Sequence, residues 1–262
     1  MAIGGLLLDI DGVLTVSWEP IPGAADALRR LRGDGIPFRL ITNTTTKTRA
    51  DLAATLRGAG FDVADVEVVT AVVATASHLR RSEPDAGVFV LSDGDASADL
   101  DGVRLVDAED ADVIVLGGAS EEFSYETMNR IFRRLMDGAR LVGMHRNLFW
   151  KTARGWELDG GAYLMGLEAA ADVEATICGK PEQAYFSAAL ESIGIGADRA
   201  AMVGDDIVND VVGAKAAGLT GILVKTGKYR PGDETKHGVE PDHVVDSFAD
   251  VPDLVRRGRT ET

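Results

Sequence analysis

The sequence predicts an α/β protein with a Rossmann-like, doubly wound parallel-sheet core and an inserted, smaller α/β domain. First, residues 5–8 form an apolar run that is typical of a strand buried on both faces. Second, apolar runs alternate with amphipathic stretches, which indicates βαβ crossovers. Third, a polar, proline-containing break at residues 80–85 separates two such series. We therefore expect a discontinuous core at 1–79 and 176–262, and an insert at 80–175.

The core elements are expected to follow one another in strand–helix order on both sides of the insert. A helix over residues 24–32 carries its apolar side chains on one stripe and stops at Gly33-Asp34-Gly35. The same periodicity predicts strands at 38–41, 67–70, 175–178, 200–203, 221–224 and 243–245, and helices at 47–58, 71–79, 182–193, 208–217 and 250–256.

The insert has elements of its own. Its strongest helix is predicted at 121–136, with Ser120 as the N-cap and two glutamates in the first turn, where the helix dipole favours them. The other segments are strands at 87–91, 112–116 and 140–144 and a helix at 162–171.

Composition and charge exclude several classes of partner. The 262-residue chain has a formal net charge of -15 at pH 7. We therefore expect it to bind neither nucleic acid nor an anionic membrane, because both need a positive field. Cys178 is the only cysteine, and the sequence has neither a leader-like start nor an apolar run of membrane length. These features predict a soluble, cytoplasmic protein.

Two carboxylates stand at the end of the first predicted strand. Asp9 and Asp11 are two residues apart, so their side chains point to the same face of the strand. Gly12 then allows a sharp turn, and the carboxyl ends of strands are where open α/β sheets bind ligands. Such a pair repels unless a cation or a proton lies between the groups. Taken alone, the pair is equally explained by an acidic loop.

Three further polar clusters follow predicted strands. Thr42-Asn43 offers a hydroxyl and backbone amides for phosphate oxygens, and Lys180 offers a fixed positive charge. Asp205-Asp206 adds carboxylates that, together with Asp9, suit a hard cation such as Mg²⁺. Each cluster alone is more often a turn, a cap or a loop. All four in this order indicate phosphoryl transfer, which needs a nucleophile, a metal and positive charge around the phosphoryl oxygens.

In this combination the chain resembles the haloacid dehalogenase (HAD) superfamily of phosphotransferases. Asp9-Ile10-Asp11-Gly12-Val13 resembles the first motif of the family, Thr42-Asn43 the second, Lys180 the third, and Gly204-Asp205-Asp206 with Asp210 the fourth. The insert lies between the second and third motifs, as in the NagD-like subfamily IIA. The resemblance covers nearly the whole chain. It implies a Mg²⁺-dependent phosphatase that hydrolyses a small phosphorylated metabolite through an aspartyl-phosphate.

The resemblance also implies a role for each motif residue. Asp9 is the nucleophile, Asp11 protonates the leaving group and then activates water, and Lys180 neutralises charge on the phosphoryl group. The residues implied to bind the phosphoryl group are Thr42, Asn43, Thr44 and Lys180.

The implied Mg²⁺ ligands are Asp9, the backbone carbonyl of Asp11, and Asp205. Asp206 and Asp210 are either direct ligands or residues that orient Lys180 and metal-bound water without touching the metal. We favour the second role.

Residues 144–147 align with the insert loop that reaches the substrate in subfamily IIA, which implies that His145 and Asn147 bind substrate. Many members carry Thr-Asn-x-Asp there, whereas this chain has Met-His-Arg-Asn, so the specificity of those branches is not expected to transfer. A packing or surface histidine is the alternative role for His145. Members of the family often dimerise through the inserted domain, so the resemblance implies a homodimer. It also implies a small phosphorylated substrate.

Two other functions are compatible with parts of the pattern. A phosphotransferase or phosphomutase of the same superfamily would use the same core motifs. A dehalogenase would have no use for Asp11. A non-catalytic phospho-receiver module also combines a parallel sheet, clustered acids, a threonine and a lysine. Its paired acids lie together near the start of a chain of about half this length, whereas Asp205-Asp206 follows Lys180 here.

Overall fold

A computed structural model describes residues 3–94, 97–152, 155–236 and 238–260. The chain divides into two compact units. The first comprises Met1–Thr42, Arg49–Val69 and Lys180–Thr262, and the second comprises Asn43–Thr48 and Thr70–Gly179.

The described strands are, in chain order, β1 (Gly5–Asp9), β2 (Thr15–Val16), β3 (Glu19–Pro20), β4 (Phe38–Thr42), β5 (Val68–Thr70), β6 (Gly87–Leu91), β7 (Arg104–Leu105), β8 (Val113–Leu116), β9 (Arg140–Gly143), β10 (Phe149–Thr152), β11 (Gly155–Leu158), β12 (Thr176–Ile177), β13 (Ala200–Gly204), β14 (Thr220–Val224) and β15 (His243–Val245).

The described α-helices are α1 (Ala24–Gly33), α2 (Arg49–Gly58), α3 (Ala71–Ser82), α4 (Tyr125–Met136), α5 (Gly160–Ala171), α6 (Gln183–Glu191), α7 (Gly213–Ala216), α8 (Asp233–Lys236) and α9 (Val251–Thr260). A π-helical segment, Ile207–Val212, leads directly into α7. None of the described helices is long and apolar enough to cross a membrane.

The first unit is built on a six-stranded sheet in the order β15-β14-β13-β1-β4-β5. β1 lies between β13 and β4 and pairs with both in parallel, with Leu8 opposite Val203 and Asp9 opposite Ile41. The chain leaves β1 towards β4 and later returns to β13 on the other side of β1. Such a reversal opens a crevice at the carboxyl ends of the central strands, which is where β1 delivers Asp9.

The apolar side chains of β1 explain why this strand is central. Leu6, Leu7 and Leu8 are wholly buried, as the uninterrupted apolar run predicts for a strand covered on both faces. Leu6 and Leu8 belong to the main core together with Leu28 and Leu31 of α1. The end of β1 is therefore held rigidly, and Asp9 is carried on a strand and not on a loop.

The second unit has a five-stranded parallel sheet in the order β12-β9-β8-β6-β7. The apolar stripe of α3 packs on one face with Val88 and Val113, and α4 and α5 pack around Ile114 with Ile131 and Leu164. A two-stranded antiparallel sheet, β10-β11, follows β9. Parallel sheets with helices in both units confirm the predicted α/β class with its additional, smaller sheet.

The second unit extends further along the chain than the predicted insert. It takes in α3, whose apolar stripe packs on its sheet, and β12, which pairs with β9. Both had been assigned to the core from their position in the chain. The limits 80 and 175 for a separate functional domain stay a prediction.

Two sequence-based details are corrected. The N-cap of α4 is Ser124, whose hydroxyl accepts from the amide of Thr127, and not Ser120. Ser120 instead donates its amide and hydroxyl to Asp93 Oδ2, at 2.7 and 2.6 Å. Residues 121–124 therefore precede the helix. The helix predicted over 208–217 starts as the π-helical segment, whose first amides are capped by the carboxylate of Asp206.

Candidate active site

Lys180 joins two carboxylates of the first unit. Its Nζ lies 2.8 Å from Oδ1 of Asp9 and 2.7 Å from Oδ1 of Asp210. The lysine is only 3% exposed and Asp210 is not exposed at all. Burial alone would lower the pKa of Lys180, but the charges of Asp210 and Asp9 outweigh it and raise the pKa above its ordinary value. Lys180 is therefore a permanent cation beside the end of β1.

Asp210 approaches this point because Gly204, at the end of β13, has no side chain. A Cβ on Gly204 would lie 2.1 Å from Oδ2 of Asp210. That same oxygen accepts from the amide of Asp206 at 3.1 Å. Burial is the main cause that raises the pKa of Asp210 to about 7. The positive charge of Lys180 lowers this pKa, and the negative charge of Asp9 raises it further. Both oxygens of Asp210 are thus engaged, which suits a residue that holds Lys180.

Asp206 is a capping residue. Its Oδ1 accepts from the amides of Val208 and Asn209, both at 3.0 Å, and its Oδ2 accepts from Nδ2 of Asn209 at 2.8 Å. Burial works against the charged form, but Lys228 and the bonds from Asn209 hold the pKa of Asp206 below its ordinary value. Its carboxylate therefore caps the N-terminus of the π-helical segment.

The two carboxylate oxygens of Asp205 differ in their hydrogen bonds to the described residues. Oδ2 accepts from the amide of Lys228 at 2.6 Å. Oδ1 is buried and has no hydrogen-bond partner among the described residues. A Cβ on either Gly12 or Gly227 would lie 2.0 Å from Oδ2, so both glycines are needed for this close packing. Burial, followed by the charges of Asp9 and Asp210, raises the pKa of Asp205 well above its ordinary value.

The residues at this point fit a divalent cation. Carboxylate oxygens of Asp9, Asp205 and Asp210 lie within 4.8 Å of one another, and in the described part of the chain this is the one such group of metal-binding side chains. Oxygen atoms are the ligands that Mg²⁺ prefers. A buried carboxylate oxygen without a donor is costly unless a cation or a proton compensates it. Oδ1 of Asp205 is therefore the atom at this point that best fits a bound cation.

Asp11 and Thr42 flank the end of β1. Asp11 is exposed, and its Oδ1 accepts from the amide of Ser17 at 3.1 Å. Partial desolvation, followed by the charge of Asp9, raises the pKa of Asp11. Thr42 is the last residue of β4, one position beyond Ile41, which lies opposite Asp9.

The backbone of Thr42 is fixed by Tyr185 of α6. The Tyr185 hydroxyl accepts from the amide of Thr42 at 3.2 Å and lies 2.7 Å from the carbonyl of Val69 and 3.0 Å from that of Thr42. Tyr185 is almost completely buried. Burial raises the pKa of its hydroxyl, so the group stays a neutral donor and acceptor. The sequence does not identify Tyr185 as a residue of the site. Its spacing with Phe186, Ala189 and Leu190 is typical of the apolar stripe of any amphipathic helix.

The second unit contains the other predicted binding residues. Asn43 Nδ2 donates to Asn147 Oδ1 at 3.3 Å, and the amide of Asn147 donates to Nδ1 of His145 at 3.2 Å. Thr44 is half-buried in the same unit. His145 is 3% exposed, with Nε2 3.6 Å from Oδ1 of Asp159. The histidine thus has the environment of a packing residue that holds Asn147.

Lys228 is the second residue that sequence reasoning missed. Its segment, Thr226-Gly227-Lys228, follows β14 and contacts the turn after β1, where the Thr226 hydroxyl donates to the carbonyl of Gly12. Lys228 Nζ lies 3.4 Å from Oδ2 of Asp206. The available signal was a glycine between two polar residues at a strand end, which is the pattern of an ordinary turn.

Two family models match the chain. Residues 6–105 match the haloacid dehalogenase-like hydrolase model, and residues 177–251 match a HAD-hydrolase-like model. Human haloacid dehalogenase-like hydrolase domain-containing protein 2 is 38% identical over 97% of this chain and 96% of its own length. The phospholysine phosphohistidine inorganic pyrophosphate phosphatase of Rattus norvegicus is 36% identical over 97% of this chain and 94% of its own.

Solved structures show the same fold. A p-nitrophenyl phosphatase from Archaeoglobus fulgidus superimposes with a TM-score of 0.90 at 28% identity, covering 97% of this chain and all of its own. NagD from E. coli K-12 gives a TM-score of 0.85 at 28% identity, covering 95% of this chain and 98% of its own. With relatives this similar along almost its entire length, the chain belongs to the haloacid dehalogenase-like hydrolase family, in the NagD-like branch of phosphatases predicted from its motifs.

Proposed function

We propose that the protein is a Mg²⁺-dependent phosphatase that hydrolyses a small phosphorylated metabolite through an aspartyl-phosphate on Asp9. One observation carries this proposal. A buried lysine contacts Asp9 at 2.8 Å, beside a buried oxygen of Asp205 that has no hydrogen-bond donor in the described part of the chain. A nucleophile, a fixed cation and a place for a metal are the parts that phosphoryl transfer needs.

In the first step a carboxylate oxygen of Asp9 attacks phosphorus, and the bond from phosphorus to the leaving group breaks. Asp11 gives its proton to the leaving group, and its raised pKa favours the protonated form that this step requires. Lys180, held by Asp210, offsets the negative charge on Asp9 and on the phosphoryl oxygens. In the second step Asp11 takes a proton from water, which attacks phosphorus and releases Asp9 and inorganic phosphate.

The metal would be held by Asp9, Asp205 and the backbone carbonyl of Asp11. When bound, Mg²⁺ supplies positive charge to the phosphoryl oxygens in the transition state. Asp206 and Asp210 are proposed to position neighbouring groups, since their oxygens already accept bonds within the protein. In this arrangement Oδ1 of Asp205, which accepts no hydrogen bond from the described residues, is available to bind the cation.

The substrate is proposed to be a phosphomonoester, a phosphoramidate or pyrophosphate. Relatives named for p-nitrophenyl phosphate and for phospholysine, phosphohistidine and pyrophosphate support this range. Thr42, Asn43 and Thr44 are proposed to bind the phosphoryl group, and Asn147 the remainder of the substrate. His145 contributes by fixing Asn147 through the bond between Nδ1 and the Asn147 amide.

The test is turnover of p-nitrophenyl phosphate by protein first treated with EDTA. We expect activity only after Mg²⁺ is added back, and a loss of about 10³-fold or more in Asp9→Asn. Asp26→Asn is the matched control, because Asp26 is an exposed carboxylate that pairs with neighbouring Arg29 on α1. Full activity in EDTA, or an active Asp9→Asn protein, would contradict the proposal.

The same experiment separates the alternative functions. A phosphomutase would move the phosphoryl group within or between sugar phosphates without releasing inorganic phosphate. A phospho-receiver module would take up one phosphate on Asp9 and show no turnover. A panel of phosphometabolites that includes phosphohistidine, phospholysine and pyrophosphate, read out as released phosphate, then identifies the substrate class.

Two further points are part of the proposal. A cytoplasmic location rests on the single cysteine of the sequence, and localisation of a tagged full-length chain tests it. A homodimer through the second unit rests on the family resemblance. Sedimentation of the purified protein tests it, and a monomer over the whole accessible concentration range would contradict it.

A further inference from the structure

Lys228 is attached to the proposed metal site through its backbone. Its amide donates to Oδ2 of Asp205 at 2.6 Å, and the preceding Gly227 packs against the same carboxylate. This bond fixes one oxygen of Asp205 and leaves Oδ1 buried without a donor among the described residues. The position of the Lys228 side chain is therefore tied to the position of a proposed metal ligand.

The Lys228 ammonium is the second cation among the acids of the first unit. Its Nζ lies 3.4 Å from Oδ2 of Asp206, and its side chain is 30% exposed. The carboxylates around it belong to Asp9, Asp11, Asp205, Asp206 and Asp210. Among the described residues, these five carboxyl groups face two cations, Lys180 and Lys228, so the repulsion between their ionised forms is only partly offset.

The two lysines are held differently. Lys180 is buried and makes two short contacts, 2.8 Å to Asp9 and 2.7 Å to Asp210. Lys228 makes one longer contact, to an oxygen of Asp206 that already accepts from Nδ2 of Asn209. Lys180 is thus built into the site. Lys228 contributes mainly its charge, which acts over a longer range than a hydrogen bond.

We propose that Lys228 is a positioning residue that sets the Mg²⁺ affinity of the site. Its ammonium offsets part of the carboxylate repulsion in the metal-free protein and opposes the entry of a divalent cation. The site thereby stays folded without metal and releases Mg²⁺ more readily than the carboxylates alone would allow. This inference rests on the proposed Mg²⁺ site of the preceding section.

The experiment is calorimetric titration of metal-stripped protein with MgCl₂, together with thermal unfolding with and without Mg²⁺. We expect Lys228→Met to bind Mg²⁺ about tenfold more tightly than wild type, because a repelling unit charge close to the site is gone. The metal-free variant should unfold at a lower temperature than wild type, so the stabilisation by Mg²⁺ should be larger.

Two variants provide the controls. Lys228→Arg keeps the charge and should keep the wild-type affinity. Lys225→Met makes the same change in net charge three residues earlier, where Lys225 forms an exposed ion pair with Asp246, and should also match wild type. The difference between Lys228→Met and Lys225→Met should shrink between about 0.05 and about 0.5 M salt, since charge effects at a partly exposed group are screened.

Unchanged or weaker Mg²⁺ binding in Lys228→Met would overturn the inference, as would tighter binding in Lys228→Arg. Should the methionine variant not fold, Lys228→Gln provides the neutral side chain, and the same outcomes apply. Failure of the proposed function has a different signature, because the wild-type protein would then show no heat of Mg²⁺ binding and no Mg²⁺-dependent turnover. The inference can thus fail while the phosphatase proposal stands.

Discussion

Lys180 and Asp210 form an ion pair that is almost completely removed from solvent, with Nζ 2.7 Å from Oδ1. Asp210 also accepts from the amide of Asp206, so one carboxylate links the lysine to the start of the π-helical segment. The same lysine contacts Asp9 at the end of β1. Asp210 therefore fixes Lys180 opposite Asp9.

We expect Asp210→Asn to be both destabilised and inactive. The asparagine has the same shape, but it removes the negative charge of Asp210 from beside the buried charge of Lys180. Breaking a buried ion pair costs about 3 kcal/mol or more. Urea unfolding of metal-stripped protein measures this loss, and turnover of p-nitrophenyl phosphate measures the activity. Asp253→Asn, at an exposed carboxylate that pairs with Arg30, is the control. Wild-type stability in Asp210→Asn would show that the pair contributes nothing.

Removing the hydroxyl of Tyr185 tests whether the backbone of Thr42 needs fixing. Tyr185→Phe keeps the buried ring but leaves the amide of Thr42 and the carbonyl of Val69 without this partner. We expect a loss of about 1–2 kcal/mol in the free energy of unfolding. KM for p-nitrophenyl phosphate should rise more than kcat falls, because Thr42 is proposed to bind the phosphoryl group.

Tyr229→Phe is the control for that experiment, because the Tyr229 hydroxyl bonds to Glu234 in a partly exposed part of the same unit. Equal effects of the two substitutions on KM would argue against a specific role of Tyr185. A loss of stability with an unchanged KM would limit Tyr185 to a structural role.

Most of the fold could be predicted from the sequence because the signal is local. The apolar run ending at Asp9 gives a strand buried on both faces, and the helix ending at Gly33 begins at the predicted Ala24. The short strands β10 and β11 were missed, since Phe149, Trp150 and Trp156 are about half exposed and show no clear alternation. Ser120 was predicted as a cap because it precedes two glutamates, but its hydroxyl bonds to distant Asp93.

Residues of the candidate site could be singled out from the sequence only where their types are distinctive. Asp9, Asp11 and Lys180 are charged residues at or shortly after strand-like runs, and their catalytic roles stay predictions that rest on the family resemblance. Tyr185 and Lys228 act through the partners that folding brings to them, Thr42 in one case and Asp205 in the other. Nothing in the local sequence distinguishes a tyrosine on an apolar helical stripe from one that ties two strand ends together.

A pH-dependent effect on stability is expected at the Glu168–Arg146 pair of the second unit. Arg146 donates twice to Glu168, at 2.7 and 2.8 Å, and the amide of Ala175 donates at 2.9 Å. The bond from Arg146 is the main cause that holds the pKa of Glu168 below its ordinary 4.5. The ionised form is favoured in the folded state, so its contribution is present at neutral pH and is lost as the pH falls through the lowered pKa.

Glu168→Gln should therefore lower the melting temperature at pH 7 by about 2–4 °C. The difference from wild type should start to narrow as the pH falls below the ordinary pKa of 4.5, and it should vanish below the lowered pKa, where the carboxyl is protonated in the folded state too. Thermal unfolding followed by circular dichroism at a series of pH values measures both. Glu122→Gln, at an exposed carboxylate that precedes α4, is the control in the same unit. A difference that stays constant with pH would rule out the charge of Glu168 as its source.

Gly227 provides a test of the proposed metal site in which none of the proposed ligands is substituted. It has a φ of 58°, and a Cβ there would lie 2.0 Å from Oδ2 of Asp205 and 2.5 Å from the Cα of Gly12. Gly227→Ala should therefore displace Asp205 or the turn after β1. We expect Mg²⁺ affinity to fall about tenfold or more, as it does when the support of a metal ligand is disturbed. Calorimetric titration of metal-stripped protein with MgCl₂ measures the change.

Gly232→Ala separates the steric clash from backbone strain. Gly232 also has a positive φ, 95°, but a Cβ there would meet nothing within 4 Å. In both variants the alanine must adopt a left-handed backbone conformation, which costs about 1–2 kcal/mol of folding free energy. Both variants should therefore lose some stability. Only Gly227→Ala should lose Mg²⁺ affinity, because only its new methyl group collides with Asp205. Equal Mg²⁺ affinity in the two variants would show that Asp205 does not depend on this packing, and would argue against its role as a metal ligand.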